Sequence, residues 1–77
     1  MATLLEWSVG EAGTVREIAG QDALAARLTD LGLTPGAPLR LMRRAPLGGV
    51  LLVQVRDFRL ALRPDEAARV AVASGRD

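Results

Sequence analysis

The stretch RLTDLGLTPG at residues 27–36 decides the fold, because a helix ends within it and a run of strands follows it. Leu24, Leu28 and Leu31 recur at the spacing of one helical face. Gly32 comes next, where a residue without Cβ most easily adopts the left-handed conformation that ends a helix. A helix this short is not stable alone, so its leucines must pack on the rest of the chain.

The boundaries of this helix carry their own signals. Asp22 is a suitable N-cap, and residues 23–31 are good helix formers. After the helix, the Thr-Pro-Gly sequence at residues 34–36 predicts a tight turn, in which proline presets φ and glycine supplies a positive φ. We therefore expect a helix over residues 23–31 that leads directly into a strand.

Most of the remaining chain predicts short strands separated by turns. Apolar alternation or near-continuous apolar sequence predicts strands at residues 13–19, 39–43, 50–56, 58–62 and 70–72. Residues 45–49 predict a loop, Arg56-Asp57 a two-residue hairpin turn and residues 63–68 a helical turn.

The fold class that follows is mostly β. Residues 1–10 are expected to form an extended lead-in whose Trp7 closes the core, and Phe58, Leu60 and Leu62 are expected to point inward. Five or six short strands with one inserted helix predict a small closed sheet, because closure removes exposed strand edges.

Composition excludes several classes of function. The 77 residues allow one domain, and the absence of cysteine and histidine excludes disulfides, zinc–thiolate sites and Cys or His nucleophiles. No hydroxyl residue has a histidine or lysine base, and no glycine-rich loop ends in Lys-Ser or Lys-Thr. We expect a protein that is not an enzyme and has no cofactor and no metal site. No apolar run approaches the ~20 residues that span a bilayer, which predicts a cytoplasmic protein.

Several segments in a fixed order resemble the ferrous iron transport protein A (FeoA) family. They are RL..LGL.PG at residues 27–36, APLG at residues 45–48 and LALR..EA at residues 60–67, and the similarity runs from about Leu4 to Val72. The resemblance implies a cytoplasmic SH3-like β-barrel that works with the membrane ferrous iron transporter B, which carries a cytosolic GTPase domain. After APLG the family usually continues Asp-Pro, whereas this chain continues Gly49-Val50 and so lacks a charge and a rigid proline.

The helix end and the loop at residues 45–48 are the predicted partner-binding surface. On this hypothesis Leu28 and Leu33 form one lip of a groove and Pro46 and Leu47 the other, while Leu24 and Leu31 serve the core. For Leu28 a core position is the favoured interpretation and the groove position its alternative, whereas for Pro46-Leu47 a stiff hairpin loop and a contact point are equally open. The complete predicted set is Arg27, Leu28, Leu31, Gly32, Leu33, Pro35, Pro46, Leu47 and Arg63.

Arginines from neighbouring strands predict a basic face, formed by Arg40, Arg43, Arg44, Arg56, Arg59 and Arg63. Such a face either pairs with acids of the same chain or meets an acidic protein patch, anionic lipid or nucleic acid. Only Trp7 and Phe58 could stack on bases, which disfavours nucleic acid.

Together these observations predict an accessory protein of ferrous iron uptake that binds the cytosolic region of transporter B and modulates it, and that could also self-associate. The alternative is a free-standing regulatory or nucleic-acid-binding barrel, because the same fold forms the C-terminal domain of metal-dependent repressors.

Overall fold

Five strands and three short helical segments form the structure, a computed structural model that describes residues 2–75. In chain order they are a 3₁₀ turn (Leu4–Glu6), β1 (Ala12–Ile18), α1 (Ala23–Asp30), β2 (Pro38–Arg44), β3 (Leu51–Val55), β4 (Phe58–Leu62), α2 (Pro64–Ala67) and β5 (Val70–Ser74). The predicted strands and helices are therefore confirmed to within a few residues at their ends.

The N-terminal segment differs from the extended lead-in that the sequence predicted. It folds into a 3₁₀ turn, in which the Trp7 N–H donates to the Leu4 carbonyl at 3.1 Å. This turn brings both apolar side chains to the core, where Leu4 is fully buried and Trp7 is 5% exposed. The predicted role of Trp7 as a core residue is confirmed, although the backbone that delivers it is helical.

The strands form one antiparallel sheet in the order β4-β3-β2-β1-β5. The predicted closure of this sheet is wrong, because β4 and β5 do not pair within residues 2–75. The outer edge of β5 instead meets the N-terminal segment, where Thr3 bridges Ala71 and the Val72 N–H donates to the Ala2 carbonyl at 3.0 Å. Between β4 and β5 the chain passes through α2, whose Ala67 is fully buried.

Helix α1 ends as the sequence predicted, on a glycine. Gly32 has a φ of +104°, and its N–H donates to the Thr29 carbonyl at 3.0 Å. The Leu33 N–H reaches back to the Leu28 carbonyl at 3.2 Å, which completes a Schellman motif. Leu28 and Leu33, the two residues that this hydrogen bond joins, are both fully buried. The motif therefore fixes the exit of the helix and packs two core leucines at the same time.

The predicted turn after the helix is also confirmed. The Ala37 N–H donates to the Thr34 carbonyl at 2.9 Å, and Gly36 has a φ of +88°. The Gly36 N–H in turn donates to the Val15 carbonyl at 2.8 Å, so the turn is attached to β1. The chain enters β2 with its direction fixed by β1.

An ion pair links the start of α1 to Arg69, the residue directly before β5. Asp22 caps α1 by accepting the Ala25 N–H at 3.2 Å, and its two carboxylate oxygens accept Arg69 Nη1 at 2.9 Å and Nη2 at 2.8 Å. The hydrogen bonds from Arg69, followed by the one from the Ala25 N–H, hold the pKa of Asp22 well below its ordinary value. The same pairing raises the pKa of Arg69.

This ion pair predicts a loss of stability in acid. Because the pKa of Asp22 is lower in the folded state, its contribution is present above the unfolded pKa of about 3.9 and is lost as pH falls below it. We expect the difference in thermal midpoint between the native protein and an Asp22→Asn variant, whose amide can still cap the helix, to shrink between about pH 6 and about pH 2. Both side chains are solvent accessible, so added salt should also shrink the difference. A difference that is constant over this pH range would contradict the assignment.

Candidate partner-binding surface

Two large apolar side chains stay exposed where α1 ends. Leu31 is 38% exposed and Phe58, the first residue of β4, is 40% exposed. A Cβ placed on Gly32 would lie 3.1 Å from Phe58 Cζ, so the ring rests against the glycine that ends the helix. Arg27 lies one helical turn before Leu31 and is also exposed. We call Arg27, Leu31, Gly32 and Phe58 the helix-end surface.

The inward face predicted for Phe58 is confirmed, because Phe58 pairs with the buried Val55 and shares its face of β4 with Leu60 and Leu62, but its ring is only partly covered. Leu62 on the same strand is buried and Leu60 half-buried, so β4 is covered at its far end and emerges from the core at Phe58. The ring lies beside the two-residue turn Arg56-Asp57, where Val55 pairs with Phe58. At this end of the strand Gly32 covers one part of the ring, while another part is open to solvent.

The groove that the sequence predicted at this site is not present. Leu28 and Leu33, its first lip, are fully buried and belong to the core. Leu31, expected to serve the core, is instead exposed. The cause is the Schellman motif, which turns Leu33 back under the helix beside Leu28 and leaves Leu31 at the rim.

The second predicted lip lies at a distance from the first. Pro46 and Leu47 are exposed in the loop between β2 and β3, where Leu47 is 103% exposed with a φ of +59°. This loop follows the end of the β2–β3 ladder at which Arg44 pairs with Leu51, whereas Phe58 follows the opposite end. Several strand residues at roughly 3.3 Å each separate the two. The loop and the helix end are therefore two surfaces.

The remaining predicted contact residues are exposed but spread over the molecule. Pro35 is exposed in the turn between α1 and β2. Arg63 is exposed before α2, and its backbone N–H donates to Glu66 Oε1 at 2.8 Å. Glu66 is only 8% exposed, so this carboxylate serves as a structural cap for the start of α2.

The predicted basic face divides into arginines with structural contacts and arginines that face solvent. Arg44 Nη2 donates to the Leu5 and Trp7 carbonyls at 3.0 and 2.7 Å and so holds the 3₁₀ turn against β2. Arg40 Nη1 donates to the Gly10 carbonyl at 3.0 Å. None of the six predicted arginines pairs with a carboxylate within residues 2–75, where Arg69 and Asp22 form the ion pair. Of the two alternatives for the basic face, pairing with acids of the same chain is therefore wrong for these arginines within residues 2–75.

A surface cleft lies beside the turn that precedes β1, but the charged side chains that line it are engaged in structural hydrogen bonds. It measures about 610 Å³ and lies between this turn, Arg40 and the end of β5. Its carboxylate, Glu11, accepts the Ser8 N–H at 2.9 Å, and Arg40 is bound to the Gly10 carbonyl.

In the described part of the chain no three His, Cys, Asp or Glu side chains cluster as metal ligands. No helix there is long and apolar enough to cross a membrane.

Comparison with known proteins gives the family. The family model for the FeoA domain matches residues 2–74. The chain belongs to the FeoA family. The FeoA of Stenotrophomonas maltophilia, solved with zinc and described as an SH3 domain protein, is 38% identical, with a TM-score of 0.83 over 95% of this chain and 91% of that chain. FeoA from Chlorobium tepidum is 35% identical, with a TM-score of 0.87 over 96% of this chain and 70% of that chain.

A manganese-dependent transcriptional repressor shares the fold alone. It is 23% identical, with a TM-score of 0.85 over 95% of this chain and 41% of that chain. No curated protein sequence matches this chain significantly. The SH3-like fold implied by the sequence resemblance is thus confirmed, while the sheet remains unclosed by hydrogen bonds within residues 2–75.

Proposed function

We propose that this FeoA-family protein is a cytoplasmic, non-enzymatic accessory protein of ferrous iron uptake that binds the cytosolic region of ferrous iron transporter B and modulates it. The observation that carries the proposal is the exposure of Leu31, which precedes Gly32 in the chain, and of Phe58, whose ring lies against Gly32, in a domain that matches the FeoA model over nearly its whole length. The Stenotrophomonas maltophilia relative is itself described as a candidate activating factor of bacterial ferrous iron transport.

The helix-end surface has the properties of a binding site. Its backbone is held by the Schellman motif on one side and the two-residue hairpin on the other, so little ordering entropy is lost when a partner binds. Aromatic residues and arginine are enriched in protein interfaces relative to the rest of the surface, and this surface presents one of each, Phe58 and Arg27. Arg27 also adds a positive charge, which favours an acidic rim on the partner.

The alternative function, nucleic-acid binding, has weaker support. Trp7 is buried, so Phe58 is the one aromatic residue available to stack on a base. Single-strand binding surfaces use several such rings together with a basic groove. The likeness to the manganese-dependent repressor, at 23% identity, concerns the fold and not the surface.

A titration tests the proposal. Isotope-labelled protein is titrated with the cytosolic domain of transporter B, with and without guanine nucleotide, and the amide shifts are mapped. We expect the largest shifts at Leu31, Gly32 and Phe58, and a Phe58→Ser variant should bind about thirtyfold more weakly, because loss of an interface anchor costs about 2 kcal/mol. Val9→Ser, which changes a side chain 59% exposed elsewhere, is the matched control and should bind normally.

The β2–β3 loop remains a predicted second contact and is tested separately. A Leu47→Ser variant removes the loop's exposed side chain without touching the helix-end surface. Normal binding by this variant together with weak binding by Phe58→Ser would restrict the site to the helix end. Absence of shifts at saturating domain concentration in both nucleotide states would reject transporter B as the partner.

A further inference from the structure

Strand β4 has an open outer edge. Because Val55 and Phe58 close the two-residue hairpin as a hydrogen-bonded pair, the alternation of an antiparallel ladder directs the backbone groups of Leu60 toward β3 as well. The N–H and C=O groups of Arg59 and Ala61 then point away from the sheet. No backbone group in residues 2–75 pairs with them.

The opposite edge of the sheet, formed by β5, is covered. There β5 is covered by the N-terminal segment through the Thr3–Ala71 bridge and the hydrogen bond from Val72 to Ala2. An open edge is a template for one more strand, and proteins that do not use it usually hide it. This chain covers one edge and leaves the other accessible, with Arg59 and Ala61 both exposed.

The side chains along β4 specify the charge of an added strand. Arg59 and Ala61 lie on the outer face of β4, and Arg63, the extended residue that follows the strand, comes two positions later; all three are exposed. Arg59 Nε donates to Gln54 Oε1 at 3.1 Å, and neither arginine forms an ion pair within residues 2–75. In an antiparallel neighbour, the residues opposite these three lie about 4.5–5.5 Å away and interact directly. Acidic side chains opposite the two arginines and a small aliphatic one opposite Ala61 complement this row.

We propose that the open edge of β4 binds an extended acidic segment of a partner protein, which adds a sixth strand with the pattern Glu-x-Val-x-Glu. The proposal goes beyond the helix-end surface and does not depend on transporter B being the partner. A second copy of this chain is a poor occupant, because antiparallel pairing of two β4 strands sets the arginines of one copy beside those of the other.

The test uses the full chain and a synthetic peptide, Thr-Glu-Thr-Val-Thr-Glu-Thr, with both ends blocked. We expect the amides of Arg59 and Ala61 to shift and to exchange more slowly when the peptide is bound. An Arg59→Glu/Arg63→Glu variant should lose this peptide and bind the same peptide with lysine in place of glutamate. Arg16→Glu, an exposed arginine on β1, is the matched control and should retain the original preference.

A second pair of variants separates strand addition from simple charge attraction. Ala61→Pro removes the outward N–H at an edge position where proline is tolerated, while Ala61→Val keeps it. We expect Ala61→Pro to weaken binding by about three- to tenfold, the effect of one net hydrogen bond, and Ala61→Val to change it by less than about twofold. The proposal would be overturned if Ala61→Pro and Ala61→Val bound the peptide equally well. It would also be overturned if a peptide N-methylated along its backbone bound as tightly as the unmodified peptide. Larger shifts of the same amides with anionic vesicles or single-stranded RNA would also overturn it.

Discussion

Replacing Leu28 with alanine is expected to lower the free energy of unfolding by about 2–5 kcal/mol. The side chain is fully buried in the core cluster, where its truncation leaves a cavity that the neighbouring strands cannot close. A domain of 77 residues has roughly 4–12 kcal/mol of stability in total, at about 0.05–0.15 kcal/mol per residue. The loss is thus a large fraction of the total stability, and urea titration should show a clearly lower midpoint of unfolding for the variant.

Leu31→Ala is the matched control on the same helix. Because Leu31 is 38% exposed, its truncation should cost less than about 1 kcal/mol while weakening any partner that uses the helix-end surface. The two leucines are thus expected to separate stability from binding. A Leu28→Ala variant with the stability of the native protein but without partner binding would support the groove position of Leu28 and would contradict the burial of its side chain.

Replacing Gly13 with alanine is the second change with a large expected effect. Gly13 pairs with Leu39 of β2 and Ser74 of β5, and a Cβ added there would overlap the Ala73 carbonyl oxygen of the neighbouring strand. Alanine normally stabilises a strand relative to glycine by about 0.5–1 kcal/mol, so a clash is needed to reverse the sign. We expect a loss of about 1–3 kcal/mol from overpacking, measured by thermal unfolding.

The control for Gly13 is a glycine with open space. Gly10 has nothing within 4 Å of an added Cβ, although its φ of +96° makes alanine strained. Gly10→Ala should therefore cost only about 1–2 kcal/mol, the price of that conformation, and leave the amides of β5 unchanged. Gly13→Ala should instead shift the amides around Ala73. Unchanged β5 amides in Gly13→Ala would show that the β1–β5 contact is looser than the structure has it.

Local chemistry predicted the parts of the fold that depend on a few adjacent residues. The Gly32 helix end, the Pro35-Gly36 turn and the Asp22 cap all follow from backbone preferences that act within four residues, and all three are confirmed. The hairpin turn at Arg56-Asp57 is also confirmed, although the sequence does not predict the φ of +54° at Arg56.

Long-range packing accounts for what sequence reasoning missed. Apolar spacing placed Leu28 and Leu31 on one helical stripe but could not say which is covered, because that depends on where Leu33 turns back beneath the helix. The separation of the helix end from Pro46-Leu47 follows from strand register, which pairs residues distant in sequence. The partial exposure of Phe58 could have been predicted, because the first residue of a strand after a tight turn lies at the end of the sheet.

The pairing of β1 with β5 has a consequence for how the protein is made. Val15 and Val72 are paired neighbours, and the segment at Ala2 and Thr3 lies against the far side of β5, so residues 2–15 complete their native contacts only with β5. Until β5 emerges from the ribosome, Leu4 and Trp7 cannot be buried in their native setting. The contacts that complete the fold thus join residues far apart in sequence, and such contacts slow folding because a long loop must close before they form.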